Sequence, residues 1–181
     1  MDLGIIPIMV IILTICILPF IFMSRSRKKR EKKFLQSLSK IAEKHNCNIT
    51  QHEFCGDFVI GLDENANAVF FFKQVNNKET AKYINLTKIQ SCTMINTSKT
   101  IKAKNSSYKE IDKLEFKFLP TTKYKPNILL EFYNYDESLP LSCQLELMEK
   151  WLKIINDKLV SQKNKGAQKH ESKKVYSATV A

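Results

Sequence analysis

The chain has 181 residues, 29 Lys and Arg against 18 Asp and Glu, and a formal net charge of +11. Its length suits one modest domain with extensions, and an apolar fraction of 44% excludes wholesale disorder. With only 4 Gly, a glycine-built phosphate cradle has no place to sit, and P-loop, G-x-G-x-x-G, H-E-x-x-H and G-x-S-x-G motifs are all absent.

In chain order, Leu3 to Met23 is uncharged. At about 1.5 Å per residue a helix over it spans roughly 30 Å, the apolar thickness of a bilayer. The small-residue cleavage site and the leading basic residues of a signal peptide are missing. The stretch 1–24 is expected to be an uncleaved transmembrane anchor. Arg25, Arg27, Lys28, Lys29, Arg30, Lys32 and Lys33 follow, seven basic residues in nine positions. Positive flanks stay cytoplasmic. The expectation is a single-pass protein of the inner (cytoplasmic) membrane, N-terminus out, with its remaining residues in the cytoplasm.

The charge is uneven: +6 over 24–33, +4 over 162–181 and only +2 over 34–161, where no Arg occurs. Arg is the residue most used for bidentate phosphate and base contacts, so a nucleic-acid partner is not expected. Five scattered cysteines (16, 47, 55, 92, 143) read as free, mostly buried thiols of a reducing compartment.

Residues 25–46 predict a basic juxtamembrane helix, with Phe34, Leu38, Ile41 and His45 on one stripe. A period of two then takes over. Strands are expected at Cys47–Phe54, Phe58–Leu62, Ala68–Gln74, Ala81–Leu86, Ile89–Thr97, Ile111–Leu119 and Asn127–Tyr135. Asp63–Asn67 is a turn, and 98–109 is expected to be a polar, basic loop. Pro140 opens a terminal helix whose stripe is Leu141, Leu145, Met148, Leu152, Ile155 and Leu159, with Trp151 beside it. Residues 161–181 are expected to be a disordered basic tail.

Seven strands and one amphipathic helix bearing the single Trp resemble the pleckstrin-homology-like (PH-like) superfold. Phe58-Val59-Ile60-Gly61-Leu62-Asp63 and Val69-Phe70-Phe71-Phe72 look like the second and third strands of its bacterial members. The chain as a whole is similar to small uncharacterised bacterial membrane proteins with one transmembrane helix and such a domain over 47–160. The resemblance implies an α+β fold, a bent seven-stranded antiparallel sheet or barrel closed by the C-terminal helix. The basic loop with which phosphoinositide-binding members hold headgroups is replaced here by Phe54-Cys55-Gly56-Asp57, short and acidic.

Three functional readings follow. The first is a non-enzymatic interaction module with a protein or peptide partner and no cofactor, using the groove between an edge strand and the terminal helix. The second is an anionic-lipid or anionic-ligand reader at the membrane surface, through Lys99, Lys102 and Lys104 with the 25–33 cluster. The third is a metal-binding or thiol protein built on His45, Cys47, His52 and Cys55, residue types that zinc favours in a spacing that matches no standard finger. A nucleophile at Cys55 or Cys143 beside His52 lacks a local signature. Asp63-Glu64-Asn65-Ala66-Asn67 starts like a calcium loop, but Ala68 and Gln74 stand at its required glycine and acid, leaving a hairpin turn.

Overall fold

The computed structural model describes residues 5–103, 106–122, 124–138 and 140–178. The fold is α+β. Helix α1 (Ile5–Glu43) leads to strands β1 (Gln51–Cys55), β2 (Phe58–Asp63), β3 (Ala68–Val75) and β4 (Lys78–Asn85). A short 3₁₀ turn, Leu86–Lys88, precedes β5 (Ile89–Ala103), β6 (Ser106–Pro120) and β7 (Ile128–Asn134), and helix α2 (Gln144–Ala178) closes the order. The chain divides into a first unit ending at Ser37 and a second from Leu38.

The strands form two antiparallel sheets, ordered β1-β2-β3-β4 and β5-β6-β7. A single bent sheet or closed barrel is therefore corrected to two sheets. The break has a local cause: Asn85 caps the 3₁₀ turn, its side chain accepting from Thr87 N, and the chain leaves one sheet there before entering the other.

Both sheets contribute to one core. Phe58, Ile60, Phe71, Phe116, Phe118 and Phe132 meet Leu147, Met148, Trp151 and Ile155 of α2. Phe132 sits at the centre of the ring cluster, with centroids 4.6 Å from Phe116 and 5.0 Å from both Phe58 and Phe71. Of the stripe foreseen for the terminal helix, Met148, Ile155 and Leu159 fill this core and Leu145 and Leu152 pack partly against it, while Leu141 is exposed and precedes the helix, which starts at Gln144 rather than at Pro140.

Two expected boundaries shift. The 98–109 loop is instead the far part of a long hairpin, β5 pairing with β6 out to Ala103↔Ser106. Most of its side chains are polar, and backbone hydrogen bonds carry the pairing. Helix α2 continues to Ala178 rather than giving way near 160, over residues rich in good helix formers. At the other end α1 runs as one helix through the basic residues, with Arg27 Nε 2.9 Å from Glu31 Oε1 and Arg30 over the Phe34 ring.

The expectation of a membrane anchor is corrected. Leu13, Ile15 and Ile17 are exposed, but among the described residues no helix is long and apolar enough to cross a membrane. A span needs about 20 consecutive apolar residues, and no described helix supplies such a run. The single-pass membrane association, the N-out orientation and the inner-membrane location lose their support with it.

Candidate functional site

The four members of the His/Cys set go to different tasks. The His45 ring stacks on Tyr83 at 3.7 Å. Cys47 is buried, and its Sγ donates to the His45 carbonyl at 3.3 Å. Burial and the charge of Asp63 push the Cys47 thiol up. His52 is exposed and stands edge-on to Phe54. Cys55, three residues further along β1 and so on the other face, is bonded to Cys143. No set of His, Cys, Asp or Glu among the described residues is placed to hold a metal ion.

The Cys55–Cys143 disulfide also corrects the reading of all five cysteines as free thiols. It joins positions 88 apart in sequence, with Cα atoms 5.9 Å apart, because the end of β1 and the start of α2 meet in space. Neither sulfur is a thiolate nucleophile in this state. Cys16, Cys47 and Cys92 remain free, and burial pushes the Cys92 thiol up to about 12.

Of the basic residues proposed for anion contact, Lys99 is already engaged. Lys99 Nζ lies 3.1 Å from Asp112 Oδ1, 3.7 Å from Asp136 Oδ1 and 3.4 Å from the centroid of the Tyr135 ring. Its charge is already matched. Lys102 lies on β5 opposite Ser107, and Lys104 lies outside the described residues. Arg25, Arg27, Lys28, Lys29, Arg30, Lys32 and Lys33 all belong to α1.

Two carboxylates, the buried Asp63 and the half-buried Glu53, organise the four-stranded sheet. Asp63 is 4% exposed and accepts from the backbone N–H groups of Asn48, Asn65 and Ala66. Burial opposes its ionisation, but these three donors outweigh it and hold its carboxyl below the usual range. They account for the Asp63–Asn67 turn without a cation. Glu53 Oε2 accepts from Trp151 Nε1 at 3.0 Å and from Lys150 Nζ at 2.8 Å. Here too burial is outweighed by the partners, and the Glu53 carboxyl is held low. Trp151 is thereby satisfied as well as buried, which fixes α2 against β1.

The sheet edges differ. β1 is short, with Glu53 at its middle, and β7 carries Glu131. β4 carries Lys78, Glu79 and Lys82. Charged or short edges discourage pairing with another chain. Ile89–Ser98 of β5 has no charge, proline or glycine. β5 pairs with β6 on one side. On the other side Asn156 Nδ2 of α2 donates to the Cys92 carbonyl at 3.2 Å. Since Cys92 turns its backbone outward, alternation along an antiparallel ladder turns Met94 and Asn96 outward as well. No hydrogen bond to the backbone groups of these two on that side exists among the described residues.

A separate cleft of about 560 Å³ borders the three-stranded sheet. Lys109 and Ile111 of β6, Tyr133 of β7, and Tyr135, Pro140 and Leu141 of the following connection line it. Tyr133 is buried, and burial together with the nearby Glu110 charge pushes its hydroxyl up.

Comparison with protein-family models, curated proteins and solved structures finds no match.

Proposed function

We propose that the second unit is an interaction module of PH-like architecture that accepts an extended peptide segment as an added strand on β5, alongside α2. The observation that carries this reading is the outward edge at Met94 and Asn96, uncharged and unguarded while the other sheet edges are short or charged. Strand addition takes its affinity from main-chain hydrogen bonds and its selectivity from alternate side-chain contacts. Partly buried Met94 packs toward the core while Thr93 is solvent-exposed, so an incoming strand meets an apolar face and a wet one. The order of four strands, three strands and a helix around Trp151 supports the PH-like reading.

The test is selection of linear peptides from a random display library on the full chain, followed by amide NMR of the bound state. Selected peptides with alternating apolar residues, shifting the amides of Met94 and Asn96, support the proposal. Peptides that shift β4 or β7 instead, or a folded protein that selects none, refute it.

A further inference from the structure

The cleft and the disulfide are neighbours along the chain. Pro140 and Leu141 form part of the cleft wall, and Cys143 follows two residues later. Pro140, Leu141 and Ser142 are exposed. The hydrogen bonds of this short stretch are local: Ser142 N donates to Gln144 Oε1 at 2.6 Å, and Ser142 Oγ lies 3.6 Å from Cys143 Sγ. On its near side the chain is held by Tyr135 N donating to the Asp112 carbonyl and by a turn on Asn134. The bond to Cys55 is the covalent long-range tether of Pro140–Cys143, beside the partial packing of Cys143 on the core.

Helix α2 does not share that dependence. Leu147, Met148, Trp151, Ile155 and Leu159 are buried in the core, and Glu53 holds Trp151 and Lys150. Only the first turn leans on Cys143, Leu147 N donating to the Cys143 carbonyl at 3.0 Å; the core contacts from Met148 onward lie beyond it. Opening the disulfide therefore removes a covalent anchor of the cleft wall and leaves the core contacts of the helix.

We propose that Cys55–Cys143 is a redox latch on this cleft: closed, it fixes the Pro140–Cys143 wall, and opened by a dithiol it releases that wall while the core stays folded. The accessible sulfur is that of Cys143, which is half-buried, whereas Cys55 is 2% exposed. A dithiol thiolate attacks Cys143 Sγ, and the S–S bond breaks to expel the Cys55 thiolate, which takes up a proton. The second thiol of the dithiol then displaces Cys143 from the mixed disulfide. The products are two protein thiols and the reductant's own disulfide, so the two electrons and two protons come from the dithiol. The latch acts by restricting the chain, since cutting a crosslink returns conformational freedom to the segment it closed.

The test uses the full chain with dithiothreitol as the probe. Alkylation after denaturation should label three cysteines without reductant and five after it. Labelling of five without reductant shows that the bridge is not formed and overturns the proposal. Hydrogen exchange should then rise on the order of tenfold or more at the amides of Leu141 to Gln144 on reduction. Exchange around Trp151 and in β6 should stay put, with no red shift of Trp151 emission. Unchanged exchange at Leu141–Gln144 overturns the latch. So does a rise everywhere with a red-shifted Trp151, which makes the bridge a general staple. Cys143→Ser should show the reduced pattern and ignore dithiothreitol; a variant with the oxidised pattern also overturns the proposal.

Discussion

The two sheets use the same hydrogen-bonding pattern and bury their faces differently. In the four-stranded sheet every residue of β2 is buried, and β3 is buried from Ala68 to Lys73. One face looks into the core, and the other is covered from Leu38 and Ile49, whose methyl carbons would stand 2.8 and 3.2 Å from a Cβ on Gly61. In the three-stranded sheet Leu114, Phe116 and Phe118 are buried, while Glu115 and Lys117 are only half-buried and Leu119 is exposed. A continuous apolar run marks a strand covered on both faces, and alternation marks one wet face. The doubly covered β2–β3 pair is a structural base, and the three-stranded sheet keeps one face wet.

The strongest way to break this contrast is to uncover the base. Leu38 is fully buried at the end of α1. Leu38→Ala should cost about 2–5 kcal/mol, the range for a large-to-small change in a filled site, read from chemical denaturation. Lys117→Ala on the outer face of β6 should change stability by about 0.5 kcal/mol or less. Equal costs would mean that the two outer faces are equivalent after all.

Helix α2 is pinned to both sheets, and the pins should be unequal. Glu53→Ala leaves the buried Trp151 N–H without its acceptor, a loss of about 1–3 kcal/mol. Asn156→Ala removes a neutral bond to the Cys92 carbonyl and should cost about 0.5–1.5 kcal/mol. Acid separates the sheets in the same sense. Glu53 and Asp63 both have carboxyls held below their ordinary values of about 4.3 and 3.9. Their contribution is complete above those ordinary values and is lost as pH falls through the lower folded ones. Stability should therefore drop below about pH 4, and the gap between wild type and Glu53→Gln should close as it does.

A finer probe of the covered face is Gly61→Ala. The added methyl meets the Leu38 and Ile49 side-chain ends and the Gln51 carbonyl oxygen at 3.4 Å. The side chains can give way, so the expected cost is about 1 kcal/mol, the low end for overpacking. Combined with Leu38→Ala, the methyl fills part of the vacated space. The double variant should then be less destabilised than the sum of the singles.

Much of this contrast was legible in the residues. Leu114, Phe116 and Phe118 alternate with charges because their strand has one wet face. Val69-Phe70-Phe71-Phe72 runs unbroken because its strand has none. The stripe from Leu145 to Leu159 with Trp151 marked the core face of α2 for the same reason. What escaped notice leaves no hydropathy trace. The outer hairpin through Lys99 and Ser107 is held by backbone groups. The last turns of α2 rest on helix propensity. The Cys55–Cys143 pairing depends on where two distant elements meet, and the His45-to-Cys55 cluster comes apart because His45 and Cys47 lie before β1 while His52 and Cys55 take opposite faces of it. Within the candidate site, the uncharged run Ile89–Ser98 was readable, but its standing as an edge was not, since strand order is a property of the assembled sheets.

A small expected change in stability tests the largest claim about the wet sheet. Asn96 is exposed, and its N–H points away from β6 on the alternation set by Cys92. Proline is tolerated on an edge strand where the lost N–H faces outward, and the preceding Ile95 is already extended. Asn96→Pro should therefore shift stability by about 1 kcal/mol or less. It nevertheless removes a donor that an added strand needs and sets a ring in its path. Affinity for a selected peptide should fall about tenfold or more, since one tenfold step is about 1.4 kcal/mol, while Asn96→Gln, which keeps the N–H, should bind as before. Undiminished binding by a folded Asn96→Pro variant would place the partner elsewhere and make the bare edge of β5 incidental.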